Sequence, residues 1–560
     1  KGEMTEEMDL ERSLSLAEGE AFKAGSLTDM EVEGDYTHLD FGELADQYKL
    51  SDAYKNVRNL ELRSDTEIEL QTFAEYRDIR APAIRAPFEV ERKRRPRYPA
   101  DEGYRNRKLR HLYRHGDMLV IIDRTVYDAV AGSIDQYVLD VGRDGYWATI
   151  HVVQGGTPAD VRDYIARRSP VGVLLVGAIA APWYEMDNDF HNAHAEFPCD
   201  LYYMDTNGTW TDPDGDGKFS GHTGDIMPEI WVGRLYTPTE GGNDAAMIND
   251  YFARNHKYRL GLLGHARSAL AFVDDDWQGF GDCALDLQFP ASALTVYTAP
   301  NVTDVDLYKA EVNSLRSWVQ LCAHSSPSGH ALRVSGANEY VNYTYFRDTN
   351  PPNSHYYNLF CCSAGKYTTP NYVAGWYIFD KAGGGQNLGL AAIASSKSGS
   401  MLAFEDFYRP LGQGRCIGDA FVDWWRARGP NHDLNLQRWH YGLVLLGDPT
   451  LTWWKGAVPM PEQPQPDDVF DHWPRKMQFR WDPVNIPGAK YTLEVDAIGA
   501  ISAGKWAEEI NRTFGIYHNI SGFTHDHSFV GAQRGRWRVR AVIGGQVCSW
   551  SPWSYFRFTR

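Results

Sequence analysis

The sequence predicts an α/β protein built on a doubly wound, mostly parallel sheet and followed by a small all-β sandwich. Three observations carry that reading. From Asp117 onward, short apolar runs alternate with helix-patterned segments at the spacing of strand–helix–strand units. Two of the runs, 318–323 and 356–361, stop abruptly on reactive side chains, His324 and Cys362. Strands of an open parallel sheet end this way where their carboxyl ends line a crevice. Finally, beyond a proline-rich stretch the apolar period changes from helical to two.

Taken in order, residues 1–116 read as a leader, acidic and polar at first and then basic, with Arg92-Lys-Arg-Arg-Pro-Arg97 and Arg105-Asn-Arg-Lys-Leu-Arg110 close together. Such a run suits either a linker open to trypsin-like cleavage or a patch docking on the acidic body. The α/β domain spans 117–455. Strands are expected at 118–122, 147–153, 171–176, 229–235 and 268–273, the last ending on Asp274-Asp275-Asp276. Helices are expected at 127–141, from Thr157 with Asp160 completing its cap, at 243–258 and at 306–316, which leads into the His324 strand. After Cys362 come a strand at 389–394, a helix at 417–426 and a helix at 439–446 closed by Gly447. Residues 456–468, with Pro459, Pro461, Pro464 and Pro466, predict a stiff spacer. In the sandwich, 469–560, Tyr491, Leu493 and Val495 alternate with polar residues, and Trp537, Val539 and Ala541 alternate with Arg536, Arg538 and Arg540, which can stack on tryptophan faces.

With 560 residues the chain exceeds one core, and its net charge of 56 − 74 = −18 argues against a general nucleic-acid or anionic-membrane binder. The longest apolar window, 171–181, is too short to span a bilayer, so no transmembrane segment is expected. The first residue is Lys1, which suits a processed chain. Seven cysteines, an odd number in a large chain, do not suggest a disulfide framework.

His324 and Cys362 at neighbouring strand ends would bring a base and a nucleophile to one crevice, with small residues after each leaving backbone N–H groups free for an oxyanion. The alternative is that a cysteine at the end of an apolar run is simply core.

Seven short segments in order bear on that choice: Val173-Leu-Leu-Val-Gly177, Pro198-Cys-Asp-Leu-Tyr-Tyr203, Pro228-Glu-Ile-Trp-Val-Gly-Arg234, Ala323-His-Ser-Ser-Pro327, Cys362-Ser-Ala-Gly-Lys-Tyr367, Ile417-Gly-Asp-Ala-Phe421 and Leu446-Gly-Asp-Pro-Thr-Leu451. Together they resemble the gingipain-type cysteine peptidases, which have a caspase-like fold. The resemblance implies a protein or peptide substrate and selects Cys362 rather than Cys361 as nucleophile and His324 rather than His330 as its partner. It also implies Asp276, with Asp275 second, as the acid that orients the histidine, the N–H groups of Ser325 and Cys362 as the oxyanion hole, and Asp282 in a pocket for a basic residue before the scissile bond. Ala323 and Ser325 stand where the family has glycines. A hole weakened there would favour a non-catalytic scaffold of the same fold.

Asp212-Pro-Asp214-Gly-Asp216-Gly-Lys218 has three carboxylates at alternate positions and a backbone carbonyl at Lys218, the ligand spacing of a calcium loop that Asp225 would close. The ion would be structural, and no organic cofactor is expected. His191, His194 and Cys199 lack a fourth partner and read as surface residues. The segment Trp550-Ser-Pro-Trp-Ser554 resembles the end of a fibronectin type III domain, which suits a module holding a surface partner. An extracellular or surface-associated protein is the expectation.

Overall fold

The α/β domain is organised by one 11-stranded sheet. Its strands are β1 (Glu89–Arg92), β2 (Gly116–Asp123), β3 (Tyr146–Gln154), β4 (Gly172–Val176), β5 (Trp231–Leu235), β6 (Ala269–Val273), β7 (Leu294–Tyr297), β8 (Arg316–Cys322), β9 (Ser354–Phe360), β10 (Ala391–Ser395) and β11 (Leu443–Gly447). This computed structural model describes residues 72–77, 86–95 and 115–559, except 260–262, 264–265, 267, 336, 382–386, 454–458 and several turns of the C-terminal domain. Most of the leader and the second basic cluster lie outside the described residues.

The strand order is β1-β3-β2-β4-β5-β11-β10-β9-β8-β6-β7. Every neighbouring pair is parallel except β1 with β3 and β10 with β11. Two parallel half-sheets therefore meet at the β10–β11 seam and run in opposite directions. The carboxyl ends of β6, β8, β9 and β10 consequently share one edge. Strands β4, β5, β6, β9, β10 and β11 are buried along their whole length, which is why they read as mainly apolar runs rather than alternating ones, interrupted by Arg234 in β5 and by Ser354, His355 and Asn358 in β9.

The helices follow their local chemistry. Helix α1 (Arg124–Arg143) begins at Asp123, whose side chain accepts the Thr125 N–H, and α2 (Pro158–Ala166) begins with the Thr157–Asp160 capping box and a proline in its first turn. Helices α3 (Asp244–Arg259) and α4 (Val305–Val312) precede β6 and β8, while α5 (Phe404–Gly412), α6 (Ile417–Ala427) and α7 (Leu434–His440) lie between β10 and β11.

Three differences from the sequence expectation have physical causes. The segment expected as a helix at 439–446 divides into α7 and the central strand β11. Its Leu-Val-Leu-Leu run is too short for periodicity to separate a buried strand from a buried helix. The proline-rich spacer contains a strand, Met460–Gln463, at the edge of a three-stranded sheet, where a missing N–H is tolerated. The segment after the His324 strand, for which no element was expected, is a three-stranded antiparallel flap of His324–Ser326, Gly329–Val334 and Ala337–Asn342.

Beyond the spacer, a three-stranded and a six-stranded sheet enclose a separate core that includes Phe479, Trp481, Leu493, Trp537, Val539 and Phe556. On strand Gln533–Ile543 the outward arginines interleave with tryptophans. The Arg536 guanidinium lies 4.5 Å from the Trp506 ring and 4.1 Å from Trp553, Arg538 lies 4.2 Å from Trp553, and Arg540 lies 4.2 Å from Trp550. The stack buries Arg536 to 8% exposure, so this arginine is not the exposed residue that alternation implied.

Candidate active site

Register places the reactive residues. Val273 of β6 pairs with Cys322 of β8, and Cys322 pairs with Phe360 of β9. Asn358 pairs with Ile393 of β10, so Phe360 stands opposite Ser395. His324, Cys362 and Lys397 each lie two residues past that line, and Asp276 lies three past it. Backbone bonds continue beyond the strand ends, from Asp274 N to Cys322 O at 2.9 Å, Ala323 N to Phe360 O at 3.2 Å and Ser363 N to Lys397 O at 2.8 Å. With strands about 4.8 Å apart, the four side chains form a row along one edge.

His324 is 15% exposed, and its Nε2 lies 2.8 Å from Asp276 Oδ2. A carboxylate can only accept, so Nε2 carries the hydrogen and Nδ1 is left as the basic nitrogen. The Trp277 ring sits 4.5 Å from the imidazole and fixes its plane. Burial tends to raise the Asp276 carboxyl, but the His324 ring and Arg333 hold it below the ordinary carboxylate range. Asp275 is raised by burial and by Asp276. Of the two candidate acids, Asp276 makes the bond to His324.

Behind them, Asp274 is fully buried, accepts the Arg333 N–H with both oxygens at 3.0 Å, and is pushed up to about 8 by burial. The folded state thus keeps a proton that the unfolded chain releases near pH ~4. Stability is therefore expected to fall as pH rises from about 4 to 8. Asp274→Asn is expected to flatten that slope, as read by Tm across the range; an unchanged slope would contradict the assignment.

Cys362 is half-buried, whereas the other six cysteines are buried. Burial raises its thiol above the ordinary value. The Gly399 N–H, the Lys397 ammonium and the Ser398 hydroxyl oppose that rise, and Asp189 adds to it. The resting group is therefore a thiol at neutral pH, to be activated by a base. Among the described residues no hydrogen bond joins its sulfur to His324, and its N–H has no backbone acceptor. Ser363 then adopts φ 55°, a left-handed turn that sends the chain back under β10. Gly365 is required there, because a Cβ would sit 2.9 Å from Ala394 Cβ.

Neither Ala323 nor Ser325 takes a positive φ, so the residues in place of glycine impose no backbone strain. The rejected alternatives are core residues. His330 bonds Tyr377 through Nε2 at 2.9 Å and burial pushes it down to about 3, while Cys361 is 2% exposed.

Asp282 follows the turn after Phe280. Its Oδ1 accepts the Ala284 N–H at 3.1 Å, and burial with Asp286 raises its pKa. It shares no hydrogen bond with His324 or Cys362 among the described residues.

The other motifs serve scaffolding. Arg234 donates to both oxygens of Asp200 at 2.6 and 2.7 Å, and the Tyr367 hydroxyl donates to the same carboxylate at 2.9 Å. This buried cluster bolts β5 to the segment following Cys362.

Sequence reasoning missed Lys397 and Asp189. Lys397 was within reach of the same strand-end logic, being two residues past β10. Asp189 was not, because its contact spans 208 positions.

The predicted calcium residues make different contacts. Asp212 accepts the N–H groups of Gly215 and Gly217 at 2.9 Å each, and Asp225 accepts from Asn207 at 3.1 Å. Asp214 and Asp216 instead join Glu185, their carboxylate oxygens lying within 4.8 Å of one another. The Lys218 ammonium stands 2.6 Å from Glu185, 2.6 Å from Glu196 and 2.8 Å from Asp216. His194 bonds Asp187, whereas Cys199, expected at the surface, is 1% exposed. The His191 side chain lies outside the described residues.

Neighbouring strand ends that carry a cysteine and a histidine bonded to an aspartate are what a cysteine peptidase requires. The model of peptidase family C25 matches residues 111–454, and the chain belongs to that family. Solved structures similar to it are the Arg-specific cysteine proteinase gingipain R (RgpB), at 13% identity, TM-score 0.45, covering 79% of this chain and 98% of that one, and the complex of Porphyromonas gingivalis RgpB pro- and mature domains, at 12% identity, TM-score 0.45, covering 79% and 100%. No curated protein sequence matches. No helix among the described residues is long and apolar enough to cross a membrane.

Proposed function

We propose that this cysteine peptidase is an extracellular or surface-associated endopeptidase in which Cys362 is the nucleophile and His324 the proton carrier. The observation that carries the reading is the His324–Asp276 bond, which leaves Nδ1 as the base at the edge where Cys362 emerges. His324 Nδ1 takes the thiol proton as Cys362 Sγ bonds to the scissile carbonyl carbon, and the carbonyl oxygen gathers the charge. The N–H groups of Cys362 and Ser325 receive that oxyanion. On collapse the C–N bond breaks and His324 returns the proton to the leaving amine, leaving a thioester. Water, deprotonated by His324, then releases the acid and the thiol.

Asp282 supports a preference for a basic residue before the scissile bond, since its half-buried carboxylate follows the helical turn that packs against His324. Fluorogenic peptides differing only at that position test this: an arginine peptide is expected to have kcat/KM at least about tenfold above its glutamate counterpart. Equal rates would sink the preference.

Calcium is proposed at Glu185, Asp214 and Asp216. An oxygen-only carboxylate set suits a hard cation. The Lys218 ammonium already neutralises the cluster and has to yield to the ion, so affinity is expected to be weak. Adding millimolar calcium is expected to raise Tm by a few degrees and a chelator to reverse it; an unchanged Tm would contradict the site. The C-terminal sandwich is read as a module holding a surface partner, supported by its exposed apolar side chains Val469, Trp473 and Phe523.

A further inference from the structure

We propose that Lys397 is a positioning residue for the nucleophile: its buried ammonium, tied to Asp189, fixes the 397–399 turn on which the Ser363 N–H, next to Cys362, is held. The inference rests on the reading of Cys362 as nucleophile and goes beyond it.

The geometry is that of a built support. Lys397 is 4% exposed, and its Nζ donates to Asp189 Oδ1 at 2.8 Å, Ser398 O at 2.5 Å and Arg438 O at 2.6 Å. Those three partners use all three ammonium hydrogens. Asp189 is itself 4% exposed and belongs to the long insertion between β4 and β5, so the pair ties that insertion to the catalytic edge.

The turn is clamped from its other side as well. Gly399 has φ +105°, and a Cβ there would lie 2.6 Å from Arg438 O and 2.8 Å from Trp439 O. The Lys397 carbonyl accepts the Ser363 N–H at 2.8 Å, so the residue after the nucleophile hangs on the same turn. A buried ion pair with every hydrogen bond satisfied costs desolvation and adds little net stability. Its use here is placement: the backbone next to the nucleophile hangs on a turn whose ammonium, Ser398 hydroxyl and Gly399 N–H all favour a sulfur anion.

Lys397 and Asp189 bear on Cys362 from the β10 side, His324 stands on the neighbouring strand end, and the Arg438 guanidinium bears on Lys397 in turn. Asp189 opposes the thiolate while Lys397 and the two donors favour it. The arrangement therefore acts on the ease of forming the thiolate, and the pH dependence of Cys362 reactivity reports on it.

The test uses the full-length protein. Alkylation of Cys362 by iodoacetamide is followed by mass spectrometry across pH, alongside kcat and KM on a peptide substrate. Lys397→Met alone would strand the Asp189 carboxylate and risk the fold, so the variants are the neutralised pair Lys397→Met/Asp189→Asn and the half-buried Ser398→Ala. Each is expected to move the alkylation midpoint upward, by about one pH unit for the double variant, equivalent to an about tenfold smaller thiolate fraction at fixed pH. For both variants kcat is expected to fall and KM to change less than about twofold. A purely structural pair would leave the midpoint in place. If either folded variant keeps the native alkylation profile, the proposal is overturned. Failure of the underlying reading looks different: Cys362→Ala would then retain activity, whatever Lys397 does.

Discussion

Cys362→Ala is expected to abolish peptide hydrolysis, with a residual rate at least about 10⁴-fold below native, while leaving Tm within a few degrees. The size follows from the chemistry. The thioester pathway needs a sulfur, and what remains without it is binding and oxyanion stabilisation of uncatalysed attack by water, as in enzymes stripped of their nucleophile. The small cost in stability follows from the site: Cys362 is half-buried at a strand end and packs against the margin of the core, whereas Cys361 and Cys322 lie inside it. The comparison variant is Cys361→Ala. It removes a buried thiol one position away and should lower Tm while sparing the catalytic step. A protein that loses activity through Cys361 but not Cys362 would reverse the assignment that register supports.

Asp276→Asn is expected to lower kcat by about 10²- to 10⁴-fold with KM nearly unchanged. The change conserves volume, so the Trp277 stack and the flap stay in place, but an amide can donate to Nε2 as readily as accept from it. The imidazole is then free to hold its hydrogen on Nδ1, the nitrogen the mechanism needs as base, and the imidazolium formed during attack loses its counter-charge. Asp276 itself is held below the ordinary carboxylate range by His324 and Arg333, so its counter-charge is in place across the neutral range. An Asp276→Asn enzyme with native kcat would mean that Asp275 or another group orients the ring.

The architecture was legible because a parallel sheet covered on both faces writes its strands as uninterrupted apolar runs. β2, β4, β6 and β10 announce themselves in this way, and β3, β5, β8 and β9 do so with one or a few polar residues inside the run. β11 did not, since Leu443-Val-Leu-Leu446 follows directly on α7 and a four-residue apolar run has no period of its own. β1 and β7 escaped for a different reason. Each is an edge strand of four residues, half exposed, whose pairing partner rather than its composition makes it a strand.

The site divides along the same line. Strand ends offered His324 and Cys362, the resemblance to the gingipain-type peptidases pointed to Asp276 in the acidic triplet closing β6, and strand order makes these sequence-local endings spatial neighbours. Lys397 ends a strand by the same rule, yet its meaning depends on Asp189 from a distant insertion, and no local pattern encodes that pair. The calcium loop shows the opposite limit. Spacing identified the carboxylates, but the fold turned Asp212 toward its own backbone and brought Glu185 and the Lys218 ammonium to the remaining two.

The central claim is that one cysteine of seven forms a covalent bond to substrate at this edge. Treating the active protein with a peptidyl chloromethyl ketone and mapping the adduct by peptide mass tests it most directly. The account predicts one label per chain, on Cys362, with loss of activity in proportion to labelling and no label on the Cys362→Ala variant. A stoichiometric adduct on another residue, or full inactivation with Cys362 unmodified, would contradict it.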